Sequence, residues 1–156
     1  MRENASSSDM NSATTLIDSR SKFSSNNMND RKRIVRTDDA PVPAGHYSQA
    51  VRVGHHIYVS GSGPFDPKSH AIVAEGIKEQ TCRTLDNIAA ILKAEACSLE
   101  NVVKVTVFLK NMNDFKGMDA AYREYFKNDP PARTTVQAEL YGKGRLIVID
   151  AIAYVP

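Results

Sequence analysis

The chain has 156 residues, of which 42% are hydrophobic and 24% charged, with a formal net charge of +2 and no tryptophan. This length has room for one domain and a tail. Residues 1–40 carry seven basic and six acidic residues, so neither this segment nor the remainder forms a basic arm. The balance counts against nucleic-acid binding driven by phosphate contacts. No apolar run reaches the roughly 18 residues of a membrane-spanning helix, so no membrane association is expected.

The N-terminal segment, residues 1–38, is rich in serine and lacks a sustained hydrophobic period, which is typical of a disordered tail. It also lacks the apolar core of a secretory signal, and its acidic residues argue against a transit peptide. Two cysteines, Cys82 and Cys97, fit neither a disulfide framework nor a metal-binding spacing. We therefore expect a cytoplasmic protein with a single domain over residues 39–156.

The remaining elements are predicted in chain order. The runs HYSQAVRVG and HIYVSGSG meet near Gly54 as a β-hairpin, and a loop then leads to a short AIVA strand. An apolar stripe predicts a helix over about 76–96, and NVVKVTVFLK is a strand by its β-branched content. NMNDFKGMDAAYREYFKN is predicted as a second helix, started by Asn113 or Asp114 and ended by Pro130–Pro131. RTTVQAEL and LIVIDAIAYV complete the domain as a pair of strands.

This order predicts an α+β fold with a mostly antiparallel sheet and two helices on one face. The last strand, however, alternates two apolar sets: one includes Leu146, Val148 and Ile152, and the other includes Ile147 and Ile149. A monomer would expose one of these sets as a large apolar patch. We infer an oligomer whose subunits bury the open face of the sheet.

Two charged residues are candidates for chemistry. Arg133 opens a strand after a rigid proline turn, and alternation places it with Thr135 and Gln137, opposite a core face that contains Val136. Its planar fork suits a carboxylate, although the residues alone favour a solvent-exposed or ion-paired arginine at a strand start. Asp150 shares a strand face with apolar residues, so it is either an acid–base group or the partner of a buried salt bridge.

Weaker signals come from strand ends and turns. Tyr47 begins the first strand, and Gly61 would let a backbone N–H approach a ligand, or would simply end a strand. Asn113 is a site candidate or only a helix cap. The adjacent pair His55 and His56 would point to opposite faces of a strand, so we expect no metal site there.

Several segments together resemble the Rid (YjgF) family. These are PAGHYSQAVRVG, IYVSGSGPFDP, TLDNIAAIL, VVKVTVFLKNMNDF, YREYF and PPARTTVQAEL followed by IVIDAIA, which cover roughly residues 40–156 in the family's order. The resemblance implies a chorismate-mutase-like α+β subunit assembled as a homotrimer with clefts between subunits. It also implies a hydrolytic deaminase that converts reactive enamines or imines, such as 2-aminoacrylate or 2-iminopropanoate, into 2-keto acids and ammonia without a cofactor.

The resemblance further implies roles for individual residues. Arg133 would bind the substrate carboxylate, with Tyr47, Gly61 and Asn113 completing the binding site. The backbone of Thr135, at a position that is often cysteine, would position substrate or water. Asp150 stands where these deaminases usually carry glutamate, and its shorter side chain would fall short by roughly 1.5 Å. A misplacement of that size can lower a rate about 100-fold.

Other functions of the same fold remain as alternatives. The cleft could serve a non-catalytic module that binds a 2-keto acid, or a deaminase of a larger catabolic enamine. A ribonuclease or translation inhibitor, a role also linked to this family, is disfavoured by the near-neutral charge and by the lack of a basic aromatic patch.

Overall fold

A computed structural model describes residues 31–73 and 76–156, so the predicted disorder of residues 1–30 lies outside the described residues. The described part contains six strands and two α-helices, with 3-10 turns at Leu99–Asn101 and Met112–Asp114. The elements are β1 (Arg33–Val35), β2 (Ala50–Val53), β3 (His56–Ser62), α1 (Ile77–Lys93), β4 (Val102–Leu109), α2 (Phe115–Tyr125), β5 (Ala132–Gln137) and β6 (Ile147–Tyr154).

The strands form one mixed sheet in the order β1-β2-β3-β6-β4-β5. Neighbours are antiparallel except β4 and β5, which run parallel. A parallel pair needs a crossover connection, and α2 supplies it. The predicted pairing of the last two strands is therefore wrong: β6 lies between β3 and β4, whereas β5 pairs with β4 at the edge of the sheet.

Both helices lie on the same face of the sheet, as predicted for the α+β fold. The covered face of β6 consists of Ile147, Ile149, Ala151 and Ala153, all buried. These residues form one core cluster with Leu85 and other side chains of α1 and with Met118 and Tyr122 of α2. The helical period of the sequence thus located both helices, and the structure shows which of the two apolar sets of β6 is buried by them.

Several predicted boundaries shift in the structure. β1 pairs with β2 through Arg33–Val35, so the folded domain takes in residues that were assigned to the tail. Within residues 71–73 of the predicted AIVA strand, the structure has one bridge, between Ile72 and Phe65, and the last residue of the segment lies outside the described residues. The start of α2 is preceded by a 3-10 turn that Asn111 caps, since its side chain accepts from the Asn113 N–H at 2.9 Å. Asp114 occupies the N-cap position of α2 without a side-chain hydrogen bond.

On the opposite, open face of the sheet, the described residues place no helix. Across β6, β4 and β5 an apolar row, Val148–Phe108–Val136, lies beside a polar row, Asp150–Thr106–Thr134. Tyr58 of β3 is 47% exposed on the same face. An apolar surface of this kind on a sheet is typical of a protein interface. None of the helices in residues 31–73 and 76–156 is long and apolar enough to cross a membrane.

Candidate active site

A pocket of about 210 Å³ opens where the segment before β2 meets the end of β3. Tyr47 and Gly61, two of the predicted binding residues, both line it. Its other lining side chains that bear on the chemistry are Ser62, Phe65, His70, Asn87 and Arg145. Arginine, tyrosine, histidine and asparagine supply hydrogen-bond donors, so the pocket suits a ligand that accepts hydrogen bonds.

The loop that follows β3 is held in place by a buried asparagine of α1. The Asn87 amide donates to the backbone oxygens of Gly63 and Phe65, at 3.0 and 2.9 Å. A Cβ on Gly63 would lie 2.8 Å from the Phe65 ring, so only glycine lets the ring pack against this backbone. The other ring contact is with Arg145, whose guanidinium carbon lies 4.6 Å from the Phe65 centroid.

Arg145 is partly buried in this pocket, and burial lowers the pKa of its guanidinium, partly offset by the nearby hydroxyls of Tyr47 and Tyr141. Its Nε is buried and has no hydrogen-bond partner in the described part of the chain. A buried donor without an acceptor costs free energy. Arg145 thus lines the pocket with an Nε–H that no acceptor in the described residues satisfies.

Gly61 lies at a register irregularity between β3 and β6. A Cβ at this position would lie 2.9 Å from Cγ1 of Val148, so a side chain there would have to displace that valine. Gly61 thus accommodates a neighbouring side chain on the open face, and the predicted approach of its backbone N–H to a ligand stays a prediction.

Arg133 lies elsewhere, at the far edge of the sheet. It is paired in register with Val105, and Thr135 with Val107; both valines are buried beneath the helices. Strand residues in register point to the same face, so Arg133 faces α2. The prediction that Val136 lies on the core face is therefore wrong: it is aligned with Phe108 on the open face and is 39% exposed.

The Arg133 side chain is engaged within its own chain. Nη2 donates to Oδ1 of Asp119 at 2.8 Å, and the guanidinium lies over the Tyr122 ring, 4.6 Å from its centroid. Asp119 also accepts from Arg123, and these two arginines hold the pKa of its carboxyl below the usual value, with Arg123 as the larger cause. The ion-paired interpretation of Arg133 thus describes its contacts in a single chain.

Asp150 lies on the open face, with its carboxylate directed toward β4. The backbone N–H of Thr106 donates to Oδ1 of Asp150 at 3.2 Å. No salt bridge to this carboxylate occurs in the described residues. Asp150 follows Val148, the neighbour of Gly61, by two residues, or about 7 Å along the strand.

The predicted site residues therefore fall into three places in one chain. Tyr47 and Gly61 share the pocket, Asp150 lies on the open face, and the rest lie near the β4–β5 edge. Asn113 belongs to the last group through its 3-10 turn, whose Met112 N–H donates to the Gln137 side chain of β5 at 3.1 Å. Three strand spacings, about 14 Å, separate β3 from β5.

Sequence reasoning missed Arg145, Phe65 and His70 as pocket residues. The signal for Arg145 was available: like Arg133, it directly precedes a strand-forming run. What the sequence did not reveal is that the loop after β3 folds back so that Phe65 meets this arginine. His70 lies at the end of a turn that Asp66 stabilises by accepting from the backbone of Lys68 and Ser69.

Neither the cysteines nor the histidines add a second site. Cys82 and Cys97 are both free thiols. Nδ1 of His55 is 2.8 Å from the Val155 oxygen, and the His56 ring instead contacts Tyr58 and Tyr154. Within residues 31–73 and 76–156, no three His, Cys, Asp or Glu side chains are grouped as metal ligands would be.

Comparison with known proteins decides the family. Residues 37–155 match the family described as endoribonuclease L-PSP, to which the YjgF and Rid proteins belong. The chain is a member of the YjgF/Rid family. A RutC family protein of Pyrococcus horikoshii is 48% identical over 123 residues, which cover 79% of this chain and 98% of the relative. The human 2-iminobutanoate/2-iminopropanoate deaminase is 43% identical over 122 residues, covering 78% of this chain and 89% of that enzyme.

Solved structures of Rid proteins share the fold. The crystal structure of RidA from the Antarctic bacterium Psychrobacter sp. is 37% identical, with a TM-score of 0.75 over 79% of this chain and 99% of that one. The structure of Escherichia coli TdcF with bound serine is 31% identical, with a TM-score of 0.75 over 80% of this chain and 99% of that one. The α+β architecture of this Rid protein is therefore that of its family.

Proposed function

We propose that this Rid protein is a hydrolytic deaminase of 2-imino acids and their enamine tautomers, which it converts into 2-keto acids and ammonia. The observation that carries the proposal is the 43% identity with the human 2-iminobutanoate/2-iminopropanoate deaminase over nearly the whole domain. The donor-lined pocket at Tyr47 and Gly61 supports it, because it suits a small substrate with a carboxylate.

The reaction adds water to a C=N bond. The water oxygen attacks the imine carbon, one water proton passes to the nitrogen, and the C–N bond of the resulting carbinolamine breaks to release ammonia. The second proton passes from the former water oxygen to the departing nitrogen as the keto group forms, so one imine and one water give one keto acid and one ammonia. A protonated imine is already a strong electrophile, so positioning of substrate and water, and proton transfer, are the protein's contribution and no cofactor is needed.

In this proposal the site is completed by two chains of a homotrimer. A substrate with three or four carbons cannot span the roughly 14 Å between β3 and β5 of one chain. Arg133, Thr135 and Asn113 would therefore come from one subunit, and Tyr47 and Gly61 from its neighbour. The apolar row Val148–Phe108–Val136 on the open face supports such an assembly, because it would be buried between subunits.

Arg133 would bind the substrate carboxylate and Asp150 would orient the attacking water. The Arg133 fork donates to Asp119 through Nη2, and its remaining N–H groups are free to bind a second carboxylate. The Asp150 carboxylate is fixed at one oxygen by the Thr106 N–H, which leaves the other oxygen for water. A fixed carboxylate near the attacked carbon is suited to proton transfer.

The test is hydrolysis of imines made in situ by an amino-acid oxidase, with semicarbazide trapping the imine that remains. Wild-type protein should accelerate imine loss, and Arg133→Ala should lower the rate at least about 100-fold, since it removes substrate orientation. Arg123→Ala is the matched control: it removes the other arginine on Asp119 and the same charge, and should retain activity.

The alternative function, a non-catalytic module, predicts a different result. A 2-keto acid would then bind to the wild type without turnover of any imine, and Arg133→Ala would abolish that binding. Equal activity of Arg133→Ala and Arg123→Ala would instead contradict the role assigned to Arg133.

A further inference from the structure

We propose that Arg145 binds a second carboxylate, so that the preferred substrates are 2-imino acids with an acidic side chain. This inference rests on the proposed deaminase function and specifies its substrate class. The α-carboxylate would be bound by Arg133 of one subunit, while the side-chain carboxylate would enter the pocket of its neighbour and meet Arg145.

The first argument is charge compensation. Arg133 is paired with Asp119, and Arg33 and Arg52 are paired with Glu95. Arg145 has no carboxylate partner in residues 31–73 and 76–156, and its Nε lacks any acceptor there. Burying a cation without an anion is costly, so a pocket that retains one is suited to an anionic ligand.

The second argument is orientation. The Arg145 guanidinium carbon lies over the Phe65 ring, 4.6 Å from its centroid, and that ring lies against Gly63 in a loop fixed by the buried amide of Asn87. This contact limits the positions that the guanidinium can take, and its planar fork keeps the N–H donors in fixed relative directions. A carboxylate in the pocket can then be bound by two parallel hydrogen bonds.

The third argument is the character of the lining. None of the aspartates and glutamates in residues 31–73 and 76–156 lines the pocket, whereas His70 and the Tyr47 hydroxyl add donors beside Arg145. The nearest part of the open face contributes Val148, which is apolar and contacts the position of Gly61. An anionic group entering this pocket therefore meets donors and apolar surface, without a like charge among the lining residues.

The experiment compares two imines with five-carbon chains, made from glutamate and from norvaline by the corresponding amino-acid oxidases. They differ in the second carboxylate. For the wild type we expect kcat/KM for the imine from glutamate to exceed that for the imine from norvaline by about tenfold, which is what one charge-assisted contact of about 1.4 kcal/mol provides. Arg145→Gln should lower this ratio to near unity, and Arg145→Lys should restore part of it.

Lys143→Gln is the matched control, because it removes the same charge from the same connection at an exposed residue that does not line the pocket. Its ratio should equal that of the wild type. A ratio that Arg145→Gln leaves unchanged would overturn the proposal. If that unchanged ratio came with an equal loss of kcat/KM for both imines, Arg145 would instead act on a part that the two substrates share.

A binding measurement separates this inference from the proposed function. By calorimetry, 2-oxoglutarate should bind more tightly than 2-oxopentanoate, and Arg145→Gln should remove the difference. If no imine is hydrolysed but this difference is found, the deaminase proposal fails and the second carboxylate site stands. If imines are hydrolysed and neither ratio nor binding depends on Arg145, the deaminase stands and the second site fails.

Discussion

Two arginines close to the starts of strands, Arg133 in β5 and Arg145 before β6, have opposite surroundings in this protein. Arg133 lies under α2, where Asp119 neutralises it and Tyr122 stacks on it. Arg145 lies in the pocket over Phe65, without a carboxylate in the described part of the chain. The sequence favoured Arg133 because of the preceding prolines, and it was silent on Arg145. Local sequence identifies a fixed backbone, but charge partners distant in sequence decide which arginine is available.

The Asp119 carboxylate should make stability depend on pH. Arg123 and Arg133 hold its pKa below the ordinary 3.8 in the folded protein, so its contribution is present above pH 3.8 and is lost as the pH falls through the lowered pKa. Asp119→Asn should therefore cost roughly 1–2 kcal/mol at pH 6, and this cost should diminish below pH 3.8. Urea unfolding at fixed protein concentration measures it.

The control is to measure the cost of Asp119→Asn again in a protein that already carries Arg133→Ala. With only Arg123 left on the carboxylate, the cost of Asp119→Asn at pH 6 should fall. A cost that is the same at pH 6 and at pH 3 would show that the asparagine acts through packing and not through charge.

At the scale of elements, the two helices were predictable and the strand order was not. The apolar side chains of α1 and of α2 recur every 3.6 residues because each helix buries one face. This pattern lies within each helical segment, so it can be read without knowing the rest of the fold. The insertion of β6 between β3 and β4 depends on pairing between distant segments. Strict alternation also breaks at the start of β4, where an irregularity between Val102 and Lys104 buries Val102 and leaves Val103 48% exposed.

The end of α1 offers a prediction at this scale. Ala96 adopts a φ of 56°, while its N–H donates to the Lys93 oxygen and the Cys97 N–H to the Leu92 oxygen. This is the Schellman arrangement, in which glycine is preferred at the left-handed position. Ala96→Gly should therefore raise the free energy of unfolding by about 0.5–1 kcal/mol.

Ala94 is the control two residues earlier, with a right-handed φ of −61°. There, Ala94→Gly should lower the free energy of unfolding by about 0.5–1 kcal/mol, because glycine gains freedom only in the unfolded chain. Thermal unfolding of both variants checks the pair. Destabilisation by both would contradict the assignment of the left-handed cap.

For the whole molecule, the open face and the distribution of the site residues both point to the need for a second subunit. The face carries apolar side chains such as Phe108 and Ile152 without a covering layer among the described residues. The pocket contains Tyr47 and Gly61 but not Arg133, which lies at the far edge of the same sheet. A second subunit would cover the face and could bring an edge strand to the pocket.

This requirement can be tested by mixing two inactive variants. Arg133→Ala lacks the guanidinium that is proposed to bind the substrate carboxylate, and Tyr47→Ala alters the pocket at an exposed side chain. Equal amounts of the two variants are unfolded together and refolded. If each site of the proposed trimer takes Arg133 from one chain and Tyr47 from its neighbour, a site is intact where a Tyr47→Ala chain supplies the arginine and an Arg133→Ala chain supplies the tyrosine. This arrangement occurs at roughly a quarter of all sites. Imine hydrolysis should return to about that fraction of the wild-type rate. Variants refolded separately and then mixed should stay inactive. If both residues acted within one chain, every site in the co-refolded sample would lack one of them, and no activity would return.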